Sequence, residues 1–237
     1  MSADEPGLSF GVAAAAYERG RPEWPAALLD ALPLDADATV VDLAAGTGKL
    51  TRRLVRRYTR VFAVEPDPQM RALIDVAEPL AGTAESIPLG DASVDGAFVA
   101  EAFHWFDVAH AVREIARVLR PGGVLALLWN RFDPDDHVLP EGVMPESTSA
   151  KHRRFRAGEW RDAFRDMPFE PFRELSLEQR RRVGRAELLD YFGSISPVTA
   201  LPPAERKAVL ERVAAALDRP TYPRRWTACL YWTRRAA

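Results

Sequence analysis

The sequence predicts an α/β fold with a doubly wound, mostly parallel sheet. Short apolar runs at residues 39–43, 60–64, 95–100 and 124–129 have the length of buried strands and are rich in Val, Leu and Ala. Helical apolar spacing follows the first, second and fourth-strand candidates. Strands that are apolar throughout and alternate with helices are typical of a parallel sheet covered on both faces.

The composition excludes several classes of protein. The 237 residues carry a net charge of −2, which gives no reason to expect a nucleic-acid partner. No apolar run approaches the roughly 20 residues of a membrane span. The acidic N-terminus lacks the basic segment followed by an apolar segment that is typical of a signal peptide. The single cysteine, Cys229, excludes an intrachain disulfide and a multi-cysteine metal site. We therefore predict a cytoplasmic protein, a monomer or homodimer, with no metal and no membrane contact.

Two short helices are predicted before the first strand. Residues 12–19 form one, and residues 25–32, which open on Pro25, form the other. Tyr17 lies near the end of the first helix, and Arg21 and Pro22 lie between the two helices. These residues either contact a ligand or are ordinary surface residues.

The turn after the first strand points to a ligand that contacts the backbone. Asp42 ends the apolar run, and small residues at 44–48 let a ligand approach the main chain closely. A phosphate-binding loop is excluded, because Leu43 replaces its first glycine and Leu50 replaces its Ser or Thr. The match to a dinucleotide-binding fingerprint is weakened, because Thr51 replaces its third glycine, but a dinucleotide ligand stays an open alternative.

The second strand also ends on an acid. Glu65 lies 17 residues beyond Gly48, and its carboxylate can accept hydrogen bonds from both hydroxyls of a ribose. The plainer alternative is an acid that opens the next helix. Asp67 is placed as the N-cap of that helix, with Pro68 at its first position, and the apolar face is predicted at 70, 73 and 74.

The fourth strand is followed by an aromatic cluster. The end of this strand is expected beside the end of the first, where open α/β sheets bind ligands. His104 stands just past it as a candidate general base, although a histidine here also suits the ordering of a turn. Phe103, Trp105 and Trp129 either line a substrate pocket or belong to the core. A helix over 108–119, a turn at 120–123 and a strand at 124–129 follow.

Four motifs in order resemble the class I S-adenosylmethionine-dependent methyltransferases. The loop D-x-G-x-G-x-G is matched by Asp42, Gly46 and Gly48, with Ala44 in place of the first glycine. The segments TAESIP at 83–88 and RVLRPGGVL at 117–125, and YERGRP at 17–22, are similar to further family segments. The resemblance implies a seven-stranded sheet with one antiparallel strand near the C-terminus and a helical cap inserted before the last strand.

The resemblance also assigns roles to residues. Tyr17 and Arg21 would contact the methionine carboxylate, and Pro66 would lie against the adenine. The edge of the adenine would meet Thr83, which replaces the usual acid, and the N–H of Ala84. The cofactor S-adenosylmethionine, and the product S-adenosylhomocysteine, are expected to contact Tyr17, Arg21, Asp42, Ala44, Gly46, Gly48, Glu65, Pro66, Met70, Thr83, Ala84, Glu85, Ala100 and Glu101.

Three segments are expected along the chain. Residues 1–37 hold helices that cover the cofactor, residues 38–130 form the cofactor-binding core, and residues 131–237 add the remaining strands with a substrate cap at about 188–217. Within the last segment we predict a loop at 133–149 that could act as a lid. The other elements predicted there are helices at 158–166, 185–194 and 203–217 and strands at 175–177 and 226–232.

The predicted function is methyl transfer to a small molecule, at oxygen in a carboxylate, phenol or hydroxyl, by in-line displacement. A non-enzymatic module that binds the cofactor and regulates a partner is the alternative. A nicotinamide-dependent oxidoreductase is disfavoured by the spacing after Gly48.

Overall fold

The computed structural model describes residues 13–132, 138–145 and 158–236. One sheet contains seven strands in the order β3-β2-β1-β4-β5-β7-β6. The strands are β1 Thr39–Leu43, β2 Arg60–Val64, β3 Pro79–Leu80, β4 Val94–Ala100, β5 Leu119–Phe132, β6 Arg173–Gly184 and β7 Thr221–Arg234.

The first five strands are parallel to one another, and the direction reverses where β7 pairs with β5. β1 pairs in parallel with β2 and β4, β2 with β3, and β4 with β5. At the other end of the sheet, Arg235 exchanges hydrogen bonds of 2.8 and 2.9 Å with Gly123 and Gly122. The end of β7 thus lies beside the start of β5, so β7 is antiparallel to it. The predicted mostly parallel, seven-stranded sheet with an antiparallel strand near the C-terminus is confirmed.

Both faces of the sheet are buried, which explains why its strands are apolar throughout. Leu125 and Leu127 of β5 pack into one core with Val112 and Ile115 of a helix. The alternate residues of β5 pack into a second core on the opposite face, with Leu28 and Leu54 of other helices. Helices on both faces make the sheet doubly wound, as predicted.

The helices are mostly short. Their bounds are Ala14–Gly20, Ala26–Asp30, Thr51–Leu54, Pro68–Arg71, Val108–Val118, Arg185–Gly193, Ser196–Thr199 and Pro203–Ala216. The residues Phe103–Trp105 and Glu159–Phe164 form 3₁₀ helices.

Several local predictions differ from the structure. The turn expected at 120–123 lies inside β5, because Leu119 pairs with Val94 before a register shift restores pairing from Gly96 onward. Leu73 was expected to face inward, but it is 45% exposed, whereas Met70 and Ile74 are buried as expected. Of the predicted loop at 133–149, residues 138–145 contain no helix or strand. Residues 133–137 and 146–149 lie outside the described residues.

The chain divides into two compact units. The first comprises Met1–Pro22, Arg131–Thr148 and Glu178–Thr227, and the second comprises Glu23–Asn130, Ser149–Leu177 and Ala228–Ala237. The first unit has its own core, which includes Leu188, Val198 and Val213 from the C-terminal helices. The assignment of these helices as a substrate cap stays a prediction.

Candidate functional site

The carboxyl ends of β1, β2 and β4 meet at one edge of the sheet. Leu43 pairs with Val64 on one side and with Val99 on the other. The turn after β1, the acid after β2 and the residues after β4 therefore emerge side by side. This is the place where open α/β sheets bind ligands.

The turn at 44–48 has an unusual backbone. Ala44, Gly46 and Gly48 have φ values of +53°, +60° and +80°. Such values suit glycine, so Ala44 holds a conformation that its side chain disfavours. A Cβ on Gly46 would meet no atom within 4 Å, whereas a Cβ on Gly48 would meet Ile74 at 3.3 Å. Open space thus borders the turn at Gly46, as a bound ligand requires.

Glu65 connects the turn to the end of β2. One carboxylate oxygen accepts the Gly46 N–H at 2.8 Å, and the other accepts the Asp67 N–H at 2.9 Å. Burial raises the pKa of Glu65 against the opposing effect of these two bonds. Each oxygen keeps a further acceptor site, so the carboxylate can also receive ligand hydroxyls.

Side-chain hydrogen bonds of Arg71 and Asp67 fix the backbone that follows Glu65. The Arg71 guanidinium donates to the carbonyl oxygens of Glu65, at 2.7 Å, and of Pro66, at 3.1 Å. The Asp67 carboxylate caps the next helix by accepting the N–H of Gln69 at 2.7 Å, as predicted. Pro66 is half-buried and Met70 is buried.

Asp42 lies beneath the turn. It is 1% exposed and accepts a hydrogen bond of 2.6 Å from the Thr51 hydroxyl. Burial raises the pKa of Asp42 to about 7, the Thr51 bond lowers it, and the charge of Glu65 raises it further. Asp42 thus joins the end of β1 to the helix that begins at Thr51.

The segment at 83–86 forms a tight turn. Thr83 and Ser86 exchange backbone hydrogen bonds of 3.4 and 3.3 Å, and Ala84 is buried. One carboxylate oxygen of Glu85 accepts the Asp107 N–H at 2.8 Å, which ties this turn to the start of the next helix. Glu85 therefore contributes at least a structural contact.

A pair of charged residues that the sequence analysis missed fixes the chain after this turn. The Arg117 guanidinium donates to the carbonyl oxygens of Ile87, at 3.0 Å, and Leu89, at 2.9 Å. Glu114 accepts the Ile87 N–H at 3.0 Å and also pairs with Arg117 at 2.7 Å. Their i,i+3 spacing on a helix was the available signal.

The end of β4 is strained. Glu101 has φ +56°, which is uncommon for a residue with a side chain. Its N–H donates to the Leu128 carbonyl at 2.9 Å, and its carboxylate accepts the Asn130 N–H at 2.5 Å. These contacts join the ends of β4 and β5 next to Ala100.

The aromatic residues after β4 divide into two groups. Phe103 is fully buried, and its ring lies 6.0 Å from the rings of Trp160 and Phe164. Trp129 is 4% exposed and packs against Trp160. These two rings belong to the core. His104 and Trp105, in contrast, are partly exposed and their rings lie 4.8 Å apart.

Tyr17 and Arg21 belong to the first unit. The Arg21 guanidinium lies 5.4 Å from the centre of the Tyr17 ring and donates to the Ser194 hydroxyl at 3.1 Å. Their contact with the methionine carboxylate stays a prediction.

Within the described residues, no cluster of three or more His, Cys, Asp or Glu side chains could hold a metal ion. None of the helices described there is both long and apolar enough to cross a membrane.

Comparison with known proteins identifies the family. Residues 41–127 match the model of the methyltransferase domain. Over 223 residues the chain is 32% identical to an uncharacterized methyltransferase-like protein from Schizosaccharomyces pombe, and the match covers 89% of this chain and 84% of that one. The chain belongs to the methyltransferase family.

Other methyltransferases are similar to part of this sequence or to the fold of this chain. An uncharacterized methyltransferase from Mycobacterium tuberculosis is 55% identical over 130 residues. That match covers 53% of this chain and 54% of the relative, so the chain spans about half the length of the curated relative it matches. The structure of a candidate type II methyltransferase from Anaeromyxobacter dehalogenans has a TM-score of 0.60 at 27% identity, over 90% of this chain and 97% of that one.

Proposed function

We propose that the chain transfers a methyl group from S-adenosylmethionine to an oxygen atom of a small molecule and releases S-adenosylhomocysteine. The observation that carries the proposal is the contact between the Glu65 carboxylate and the Gly46 N–H at 2.8 Å, beside open space. An acceptor pair for ribose hydroxyls and a turn with room for the methionine part are thus adjacent. Family membership supplies the cofactor class.

The chain's residues fit the cofactor in three places. The turn at 44–48 presents backbone to a ligand, because its positive φ values turn the chain sharply and its side chains are small. Glu65 can accept ribose hydroxyls. Ala84, held in the turn at 83–86, offers a backbone group to the adenine edge.

When bound, the sulfonium of the cofactor supplies a methyl carbon that a nucleophile attacks in line with the leaving sulfur. The protein then has to hold the acceptor at roughly 3 Å from that carbon and exclude water. His104 and Trp105 are partly exposed just past the end of β4, and we assign them to this positioning.

Chemistry favours an oxygen acceptor. A carboxylate is already deprotonated at neutral pH, so it needs a position but no base. An amine or a carbon acid has to lose a proton first. His104 is the candidate base for a phenol or an alcohol, whose proton must also leave.

The test measures S-adenosylhomocysteine binding by calorimetry. Glu65→Ala removes both carboxylate oxygens, and we expect the affinity to fall about tenfold or more, since each lost hydrogen bond to a charged group is worth about 1.5–3 kcal/mol. Glu78→Ala is the matched control, because Glu78 is exposed and no hydrogen bond or ion pair of its side chain is described. A folded Glu65→Ala variant with unchanged affinity contradicts the proposal.

Catalysis is tested by a screen for the mass of one added methyl group on small carboxylic acids, phenols and alcohols. Binding of the cofactor with no methylated product across the screen would favour a regulatory binding module instead.

A further inference from the structure

The segment 102–106 joins β4 to the Val108–Val118 helix and carries His104 and Trp105. It contains one short 3₁₀ turn, in which the N–H groups of Trp105 and Phe106 donate to carbonyls of the same segment at 2.8 and 3.3 Å. A single turn of this kind has little stability of its own, because its hydrogen bonds are few and their geometry is poor. The order of this segment, which we call the His104 segment, therefore depends on how its two ends are held.

The start of the His104 segment is held by the sheet and the core. The Glu101 carboxylate, directly before the segment, accepts the Asn130 N–H at 2.5 Å. The Phe103 side chain is fully buried. This end is thus joined to β5 and to the hydrophobic interior.

The end of the His104 segment is joined to the turn at 83–86. One carboxylate oxygen of Glu85 accepts the Asp107 N–H at 2.8 Å. Asp107 is the N-cap of the Val108–Val118 helix, and its own carboxylate accepts the His110 N–H at 3.3 Å. Because a carboxylate acceptor makes a stronger hydrogen bond than a neutral one, Glu85 fixes the point at which the segment passes into the helix.

The turn at 83–86 restricts Glu85 in its turn. Thr83 and Ser86 exchange backbone hydrogen bonds of 3.4 and 3.3 Å around it, and the adjacent Ala84 is 3% exposed. A cofactor that binds the Ala84 backbone through its adenine edge reduces the motion of this turn and so raises the population of the bond between Glu85 and Asp107. Residues 83–110 all belong to the second unit.

We propose that Glu85 is a positioning residue that couples cofactor binding at the turn at 83–86 to the order of the His104 segment. The inference deepens the proposed function and rests on it. Since His104 and Trp105 are assigned to the methyl acceptor, the coupling favours binding of the cofactor before the acceptor. Coupling between two sites is reciprocal, so a loosened His104 segment also weakens cofactor binding.

The test measures hydrogen exchange of residues 102–106 in the full chain by mass spectrometry, with and without saturating S-adenosylhomocysteine. In the wild type we expect the product to slow this exchange about threefold to tenfold, which is the effect of one hydrogen bond on a local opening. Glu85→Ala, saturated with product, should show no such slowing. Glu78→Ala, which removes an exposed acid of the same unit, should retain it.

A purely structural role of Glu85 predicts a different result. Glu85→Ala would then speed exchange equally with and without product and leave the slowing in place, which overturns the proposal. No slowing in the wild type, while the product binds, overturns it as well. Glu85→Gln keeps an acceptor oxygen at the same reach and should recover part of the slowing. A Gln variant as deficient as the Ala variant overturns the assignment to this hydrogen bond.

The donor is tested at the other end of the bond. Asp107 has φ −71° and the preceding Phe106 has ψ 153°, so the backbone accepts proline at position 107. Asp107→Pro removes the N–H together with the carboxylate, whereas Asp107→Ala removes the carboxylate alone and is the matched control. We expect the slowing at 102–106 to be lost in Asp107→Pro and kept in Asp107→Ala. Equal behaviour of the two variants overturns the proposal.

Calorimetry with S-adenosylhomocysteine separates this inference from the proposed function. Glu85→Ala and Asp107→Pro should each lower product affinity about threefold to tenfold, and Asp107→Ala should stay within about twofold. The double variant of Glu85→Ala and Asp107→Pro should bind about as well as either single variant, because both remove the same bond. Additive losses overturn the coupling while the proposed function stands. No product binding by the wild type overturns the proposed function, and the inference with it.

Discussion

At the scale of single residues, the two acids at the strand ends have different tasks. Glu65 accepts the N–H of Gly46, beside which open space lies, and keeps acceptor sites for a ligand, whereas Asp42 is enclosed beneath the turn and bonds Thr51. The sequence placed both at the cofactor, because a strand that ends on an acid is the same signal in each case. Burial of the Asp42 side chain depends on packing, which a one-dimensional pattern does not contain.

The buried Asp42 should make stability depend on pH. Burial raises its pKa in the folded state to about 7, above the value of 3.8 expected when unfolded. Between these values the folded chain holds a proton that the unfolded chain has released, so its contribution weakens as pH rises from about 4 to 7. Asp42→Asn removes this pH-dependent contribution to stability and keeps an oxygen that can accept the hydrogen bond of the Thr51 hydroxyl.

Urea unfolding at pH 5 and pH 8 measures the effect. The free energy of unfolding of the wild type, relative to Asp42→Asn, should be lower at pH 8 than at pH 5, by about 1.4 kcal/mol for each pH unit between 5 and the raised pKa of about 7. Asp37→Asn, at an exposed position, is the control and should show little change. A wild-type curve parallel to that of Asp42→Asn would contradict the raised pKa.

His104 should position the acceptor. It is partly exposed on the turn after β4, with its ring 4.8 Å from Trp105. We expect His104→Gln to raise KM with little change in kcat, and the rate to be nearly flat with pH near neutrality. A loss of about 10²–10⁴ in kcat, with a wild-type rate that rises through one ionisation, would make it a general base instead. The control His110→Gln changes an exposed histidine on the next helix.

At the scale of elements, the strands and most helix faces could be predicted because burial on both faces and helical spacing leave a clear pattern. Asp67 and Pro68 marked a helix start correctly for local reasons. The ends of helices were less predictable, and the helix that begins at Pro68 ends at Arg71, before the last residues of its predicted apolar face. Likewise, Phe103 and Trp129 proved to be core rings, since nothing in their spacing tells a pocket wall from an interior.

The Arg117 network escaped prediction because its partners lie 28 to 30 residues away in the chain. Arg117→Ala should remove the bonds to the carbonyls of Ile87 and Leu89 and loosen the segment that follows the turn at 83–86. We expect product affinity to fall about threefold to tenfold and the unfolding midpoint to drop by several degrees.

The exposed Arg113 on the same helix gives the matched control, because Arg113→Ala removes the same charge and side chain without these bonds. Arg117→Lys should recover only part of the affinity, since one ammonium group cannot reach the same set of acceptors. Equal affinities of the Arg113 and Arg117 variants would show that the network does not support the site.

At the scale of the whole molecule, the sequence predicted the sheet but not its division into two units. The helices Ala14–Gly20 and Ala26–Asp30 are neighbours in the chain and looked alike in sequence, yet they belong to different units. Arg19 of the first helix bonds Asp190, and Arg21, directly after that helix, bonds Ser194, in both cases about 170 residues away. Contacts of such sequence separation leave no periodic signal.

The division into two units predicts which segments of the chain a bound ligand protects from local unfolding. Ligand that binds only the folded state, at about 100 times its Kd, adds about 2.7 kcal/mol of stability, which corresponds to a rise of roughly 5–10 °C in the unfolding midpoint. Because the turn at 44–48, Glu65 and the turn at 83–86 all lie in the second unit, S-adenosylhomocysteine should slow only those openings that destroy them. Hydrogen exchange read by mass spectrometry should therefore show stronger protection of residues 39–48, 64–70 and 83–89 than of the Pro203–Ala216 helix. Glu65→Ala should abolish the difference, and equal protection of these segments and of the Pro203–Ala216 helix would contradict a cofactor site built mainly on the turn at 44–48, Glu65 and the turn at 83–86.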